Sequence, residues 1–331
     1  MIRERLLGWS HAFDHPVSRW ISIGVAAALV VALLVIALLS ATGRIRDPFR
    51  KELWKRTLAW GVMAPLLIGP VLLGAAWTIL SITILSLACY REFARASGLF
   101  REKLVSAVVV LGVLAVQFAA LDHWYGFFVA LFPLTVILIA ATSILPDSPK
   151  GYLQRVALGV LAFMLFGSSL GHVSYMANDW NYRPIILMLL LGVQLNDVFA
   201  FISGKTFGRR KIVPHTSPNK TVAGHLGALL LTTPLVATIA HFIFPGTPLD
   251  RPLWLILLGV IVSLSGQLGD LMLSSIKRDI GIKDMGVLIP GHGGVLDRIN
   301  SVLLAAPAVF HYIGFFVGFG LDQPTRIFTG P

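Results

Sequence analysis

Between Ser274 and Asn300 the chain reads SSIKRDIGIKDMGVLIPGHGGVLDRIN, a polar segment flanked by apolar runs. Lys277, Arg278, Lys283 and Arg298 can hold phosphates. Asp284, Asp297 and the nearby Asp270 can hold a divalent cation. Gly291, Gly293 and Gly294 let the backbone turn tightly and approach a ligand. Ionisable side chains are costly at membrane depth, so their density here points to metal-dependent phosphoryl chemistry at a membrane surface.

Asp270, Ser274 and Lys277 are spaced i, i+4, i+7 and share one face of a helix. The plainer reading is an Asp–Lys pair at a helix end. Asp297 follows the glycine-rich turn and opens the last apolar run; alone it would be a helix N-cap or a first-turn acid. With Asp270 across the loop, a shared Mg²⁺ is expected, because Mg²⁺ is usually held by one or two carboxylates plus substrate phosphates. Such an ion polarises a phosphoryl oxygen and orients the nucleophile. Upstream, Ser217-Pro218-Asn219-Lys220-Thr221 precedes an apolar run, so Ser217 and Lys220 stand where a helix N-terminus offers an anion site, or simply a capped start. Asp197, after Asn196, lies inside the apolar run 184–203. An acid at that depth is a functional candidate by default; the structural alternative is pairing with a base on a neighbouring helix. His292, between two glycines, is a candidate phosphate donor. Arg209, Arg210 and Lys211 are read as membrane-surface anchors, and Glu92 as structural. GKTFGRRK at 204–211 lacks P-loop spacing, and no Ser–His–Asp arrangement is evident.

The elements that must position these groups are membrane helices. Of 331 residues, 56% are hydrophobic and 13% charged, where a soluble domain carries about 25% charged. Mean hydropathy is +0.80. The expected fold is all-α, a polytopic transmembrane helix bundle of about ten spans: 20–40, 58–72, 74–90, 104–121, 124–145, 153–173, 184–203, 222–243, 253–275 and 301–320. The run 58–90 is too long for one helix, and the break is placed at Gly69-Pro70. Loops 41–57, 91–103, 146–155, 204–221 and 276–300 collect 21 of the 27 Lys and Arg. By the positive-inside rule both polar motif regions then face the cytoplasm, with both termini outside. That topology also accounts first for the net charge of +11. An anionic headgroup or nucleotide comes second, and nucleic acid is not expected, because the bases sit in short loops. The lone Cys89 excludes an internal disulfide and a cysteine-based zinc site. No cleavable signal peptide is expected. Arg3, Arg5 and Arg19, with Leu6, Leu7, Trp9, Phe13 and Trp20, suit an amphipathic segment on the membrane surface.

Taken together, these motifs resemble the phosphatidate cytidylyltransferases, or CDP-diacylglycerol synthases. That family's signature runs S-x-apolar-K-R-x4-K-D-x-small-x2-apolar-P-x-H-G-G-apolar-x-D-R-apolar-D. Ser274, Ile276, Lys277, Arg278, Lys283, Asp284, Gly286, Ile289, Pro290, His292, Gly293, Gly294, Val295, Asp297, Arg298 and Ile299 fit it. Gly269-Asp270 fits upstream, as do Asp197 and Ser217-Pro218-Asn219-Lys220-Thr221. Two positions depart: Asn300 stands where the pattern ends in Asp, and Ala223 where many members carry an acid or amide. The resemblance covers residues 55–320. It divides the chain into an N-terminal extension with one span (1–54) and a cytidylyltransferase-like membrane domain (55–331) with the signature at 270–300.

The resemblance implies a cytoplasm-facing site in a homodimeric enzyme of the bacterial cytoplasmic membrane. Its substrates would be CTP and phosphatidate, its products CDP-diacylglycerol and pyrophosphate. It assigns Asp270 and Asp297 to Mg²⁺, with a monovalent cation such as K⁺ able to share the site. Lys277 and Lys220 go to phosphates, and Ser274 and Asp197 to supporting roles. Ser217, Arg278, Lys283, Asp284, His292 and Arg298 complete the expected substrate-binding set. Ala223 and Asn300 motivate the competing readings: a relative acting on another lipid phosphate or nucleotide, or a non-catalytic transporter or lipid-binding protein of the same fold. The helical D-G-x2-A-R-x8-G-x3-D-x3-D run of CDP-alcohol phosphatidyltransferases is not found.

Overall fold

The computed structural model describes residues 2–289, 293–321 and 326–330. A short helix α1 (Ile2–Leu7) precedes α2 (Pro16–Ala41), α3 (Phe49–Leu73), α4 (Ala75–Ser97), α5 (Lys103–Leu121) and α6 (Tyr125–Thr142). A continuous rod follows, made of α7 (Tyr152–Ala162), a π-helical segment (Phe163–Ser169) and α8 (Leu170–Met176). The chain then forms α9 (Tyr182–Phe207), α10 (Val222–Ile243), α11 (Pro252–Asp279) and α12 (Leu296–Val317). Among the described residues, nine helices are long and apolar enough to cross a membrane, the α7–α8 rod counting as one. Helix α4 has 23 residues, but its last turns carry Arg91, Glu92 and Arg95, which lower its hydropathy. The all-α membrane bundle is therefore observed.

The break between α3 and α4 falls later than expected. Helix α3 runs through Pro65 and Pro70 to Leu73, and the chain turns at Gly74 rather than at Gly69-Pro70. Gly74 has φ +144°, a conformation L side chains rarely adopt. A Cβ there would also lie 2.5 Å from the Leu6 carbonyl oxygen. The turn thus sits where α1 presses on the bundle, and proline at Pro70 only removes one helical N–H. Arg183 holds the same corner, donating to the Gly8 carbonyl (2.7 Å) and the Leu72 carbonyl (3.4 Å). Leu7, Trp9, Phe13 and Trp20 are exposed, while the Arg3 and Arg5 side chains lie outside the description.

Helices α9, α10, α11 and α12 pack on one another, α4–α8 wrap one flank, and α2 and α3 lie against α9. Polar groups fix the centre. Buried Asn196 on α9 accepts from Thr232 Oγ1 on α10 (3.1 Å) and from Ser263 Oγ on α11 (2.6 Å), and donates to the Ser263 carbonyl (3.4 Å). Interhelical bonds of this kind are worth about 0.6–2 kcal/mol in a membrane. Here they fix the register of three helices one residue before Asp197.

Candidate functional site

Three pieces of chain meet at one end of the bundle: the end of α11, the start of α12, and the loop before α10. Gly269 makes the first junction possible. A Cβ there would lie 2.6 Å from the Asn300 carbonyl oxygen, so only glycine lets α11 and α12 approach this closely. The next residue, Asp270, consequently faces α12. Its Oδ1 accepts from the Asn300 amide at 2.5 Å, and its Oδ2 forms an ion pair with Lys220.

Lys220 reaches Asp270 because its loop is pinned. The Ile212 N–H donates to the Lys220 carbonyl (3.2 Å), and the Val222 N–H donates to the Arg210 carbonyl (3.0 Å). Thr221 then caps α10 by accepting from the Gly224 N–H at 3.1 Å. The capped helix start is present, and Lys220 projects from it onto an acid. Burial pushes the Lys220 ammonium below the usual lysine range; the Asp197 charge opposes this and Lys277 adds to it. Asp197 makes no salt bridge among the described residues. Its Oδ2 accepts from Ser301 Oγ at 3.1 Å, which places it beside Asn300.

Asp297 lies in the first turn of α12 but does not cap it. Its Oδ1 pairs with Lys277 Nζ at 2.8 Å, and its Oδ2 accepts from the Met285 N–H (2.9 Å) and the Gly294 N–H (3.0 Å). One carboxylate therefore ties α11 to both strands of the loop, which the Ile289 N–H to Gly293 carbonyl bond (2.9 Å) closes. The side chains of Lys277 and Asp297 are only 12% and 2% exposed. Losing one partner of so buried a pair costs about 3–5 kcal/mol.

The residue that caps α12 comes from another part of the chain. Buried Glu92, on α4, accepts from the Val295 N–H (3.0 Å) with Oε1 and from the Leu296 N–H (2.9 Å) with Oε2. An anion at a helix N-terminus satisfies donors that have no partner within the helix. Glu92 is structural in a specific sense: it holds the loop that carries Asp297. The sequence signal was slight, an acid in the last turns of an apolar helix.

The other expected residues divide. Arg278 is exposed and donates to the carbonyls of Thr216 and Ile282 (both 3.2 Å), stapling the two polar loops together. Asp284 and Lys283 are exposed on the loop, and the Asp284 side chain passes close to Gly293. Ser217 belongs to the turn before Lys220, its carbonyl accepting from the Lys220 N–H at 3.1 Å. Ser274 is half-buried on α11, one turn from Lys277 and from Asp270. Arg298 follows Asp297, and its Nε is buried without a hydrogen-bond partner among the described residues. Arg209, Arg210 and Lys211 are exposed. His292, Pro290 and Gly291 lie outside the described residues.

A carboxylate oxygen has two lone pairs. Asp270 uses one on each oxygen and Asp297 Oδ1 uses one, so both acids keep capacity for a cation. Among the described residues no group of three or more His, Cys, Asp or Glu suits a metal. An ion here would take its remaining ligands from phosphate and water, as Mg²⁺ commonly does. The donor set fits that ion.

Comparison with known proteins bears on this geometry. The pattern of a family described as the cytidylyltransferase family matches residues 54–316. An uncharacterised Escherichia coli protein, YnbB, is 32% identical over 87% of the chain and 97% of its own length. A phosphatidate cytidylyltransferase of Staphylococcus haemolyticus is 34% identical over 76% of the chain and 95% of its own length. Another, of Bacillus subtilis, is 32% identical over 65% of the chain and 81% of its own length.

Proposed function

Since the chain belongs to the cytidylyltransferase family, and hence to the membrane nucleotidyltransferases of phospholipid synthesis, we propose that it transfers CMP from CTP to phosphatidate. The products are CDP-diacylglycerol and pyrophosphate. The observation that carries this reading is the pairing of Lys220 with Asp270 and of Lys277 with Asp297 at one end of the bundle. Two ammonium groups and two carboxylates in one place can receive two phosphate-bearing substrates and the cation between them.

In this reaction a phosphate oxygen of the lipid attacks the α-phosphorus of CTP and pyrophosphate leaves, so no protein nucleophile is needed. Both reactants are anionic, and catalysis is positioning and charge stabilisation. Asp270 and Asp297 would hold Mg²⁺, with a monovalent cation able to share the site, and the ion would supply Lewis-acid neutralisation of the phosphates. Lys220 and Lys277 bind phosphate oxygens, the first from a helix N-terminus and the second from α11. Asp197 and Ser274 support them. Arg278 keeps the two loops in register, Ser217, Lys283, Asp284 and Arg298 line the approach, and His292 joins this set through its place in the sequence motif. The site faces the cytoplasm of a bacterial cell, the enzyme is a homodimer, and residues 1–54 are an addition to the catalytic unit at 55–331. A second reading, another lipid phosphate as acceptor, is motivated by the departures at Asn300 and Ala223, the first of which donates to Asp270.

The test is product formation by purified protein in detergent with labelled CTP, phosphatidate and Mg²⁺. CDP-diacylglycerol from the parent and none from a folded Asp297→Asn variant is the expected result. Near-normal turnover in Asp297→Asn would overturn the metal assignment, and no product from a folded, dimeric parent would overturn phosphatidate as the acceptor.

A further inference from the structure

GKTFGRRK at 204–211 is joined to the site by main-chain bonds. From 198 to 249 the chain has no Asp or Glu, yet it carries Lys205, Arg209, Arg210, Lys211 and Lys220. Of these five, only Lys220 has an ion-pair partner among the described residues, and the other four are exposed. The basic stretch 41–57 differs, because Asp47 and Glu52 there pair with Arg50, Lys51 and Arg56. Both stretches serve the topology rule, which counts cations and gives acids little weight. The second alone leaves its cations without counter-charge.

These cations stand at headgroup depth. Along the exposed face of α9, Val198, Phe201 and Ile202 give way to Lys205 within about one turn, and the Lys205 ammonium lies over the Phe201 ring at 5.9 Å. Phe207, 73% exposed, ends the helix, and Arg209, Arg210 and Lys211 follow at once. Exposed aromatic and apolar side chains beside a cluster of Lys and Arg are the pattern of a segment seated on an anionic bilayer surface. The same segment pairs with the strand that presents Lys220. Lys211 lies opposite Thr221 in an antiparallel bridge, flanked by the Ile212–Lys220 and Val222–Arg210 main-chain bonds. By that register Arg210 and Lys220 fall on one face of the pair, where like charges repel.

We propose that Lys205, Arg209, Arg210 and Lys211 form a binding surface for anionic phospholipid headgroups of the leaflet beside the site, and that its occupation holds the Lys220 hairpin closed. The lipid phosphates supply the counter-charge that this stretch lacks. They favour the closed hairpin because only there do the cations crowd together, and a ligand shifts an equilibrium by its differential affinity for the two states. Lys220 is then held where Asp270 and an incoming phosphate meet. The binding is independent of the proposed reaction, whereas its effect on turnover rests on that reaction. The anionic lipid content of the membrane thereby sets the activity of the enzyme.

Two arms test this on the full chain in nanodiscs of phosphatidylcholine, with or without phosphatidylglycerol, an anionic lipid that is not a substrate of the proposed reaction. The first needs no turnover. Protection of the Ile212 and Val222 amides against hydrogen exchange should rise several-fold when phosphatidylglycerol is present. The triple variant Arg209→Gln, Arg210→Gln, Lys211→Gln should be at least as protected as the parent in phosphatidylcholine, since repulsion is relieved, and should show no rise. Each cation contributes roughly fivefold to binding at an anionic surface, so losing three costs on the order of a hundredfold. Arg209→Lys with Arg210→Lys should keep the rise, as should Arg44→Gln with Arg46→Gln in the other basic stretch. No rise in the parent, an equal rise in the triple variant, or lower protection of that variant in phosphatidylcholine would overturn the surface.

The second arm measures kcat with CTP, Mg²⁺ and water-soluble dihexanoyl phosphatidate in the same nanodiscs. Phosphatidylglycerol should raise kcat of the parent several-fold and leave that of the triple variant flat. Comparing the two chains in one bilayer cancels the effect of surface potential on the charged substrates. An equal kcat ratio in parent and variant would overturn the link to Lys220. Absence of turnover in every bilayer would sink the reaction and not the surface, which the exchange measurement decides.

Discussion

Asn300→Asp separates a hydrogen bond from a cation at the centre of the site. In the parent the Asn300 amide donates to Asp270 Oδ1 at 2.5 Å, while Lys220 meets the other oxygen. An aspartate cannot donate that bond when ionised. The variant loses a hydrogen bond to a charged group, about 1.5–3 kcal/mol. It also gains a like charge some 4 Å away, about 4 kcal/mol at the effective dielectric of partly exposed pairs. Lys220 offsets part of this, leaving a loss on the order of 3–5 kcal/mol when no cation is present. A divalent cation bound at the proposed site would reverse the sign, because the two adjacent carboxylates would become its ligands. The assay is thermal unfolding in detergent at pH 8, with chelator or with a Mg²⁺ series. Metal-free Asn300→Asp should melt several degrees below the parent, and Mg²⁺ should raise its melting point more than the parent's, in keeping with ligand linkage. Turnover in Mg²⁺ should be unchanged or higher. Equal stability without metal, or equal Mg²⁺ shifts, would refute the placing of a cation at Asp270. Clear loss of turnover with Mg²⁺ binding intact would mark Asn300 as part of a specialised site.

Glu92→Gln keeps size but sets an amide NH2 against a backbone N–H, costing about 2–3 kcal/mol; melting point and kcat should both fall, and unchanged kcat would remove Glu92 from the positioning of Asp297. Gly269→Ala puts a methyl 2.6 Å from the Asn300 carbonyl, and overpacking of this kind costs about 1–3 kcal/mol; a parent-like melting point would show that α11 and α12 have room to spare. At the opposite end of α5, burial pushes the Asp122 carboxyl up, but the Thr329 hydroxyl, the Phe328 and Thr329 N–H groups and the Arg326 charge outweigh it and leave it below the usual range. A depressed folded value means that the contact stabilises above the unfolded carboxyl range and fails as pH falls through the folded value. Protection factors at Phe328 and Thr329 should therefore be high at neutral pH and fall in acid, and Asp122→Asn should lower them at neutral pH; a pH-independent ratio between parent and variant would contradict this.

The fold was legible because a membrane leaves few options: long apolar runs must close their own backbone hydrogen bonds and become helices. The break at Gly74 was not legible, because Pro70 is the stronger local signal, whereas the deciding contact is with Leu6 in a segment far away in sequence. Asp270, Lys277 and Asp297 were legible by type and spacing. Their partners were only half so. Helical spacing puts Asp270 and Lys277 on one face and suggests that they pair, yet Lys277 takes Asp297 and Asp270 takes Lys220, across gaps of 20 and 50 residues. Glu92 holds a loop more than 200 residues downstream, and no local pattern encodes such a distance.

The crossed pairing has a physical consequence. Buried ion pairs contribute little net stability, since desolvation consumes most of the attraction, but stripping one partner is expensive. Two acids and two lysines that paired only within α11 would leave Asp297 and Lys220 without counter-charges. The crossed arrangement neutralises all four and ties α11 to the loop before α10 and to α12. On the proposed reaction each lysine moves from its acid to a phosphate as the acid accepts a cation. The number of unpaired charges stays constant through that exchange, so phosphates can be bound without a bare ion being buried at any stage.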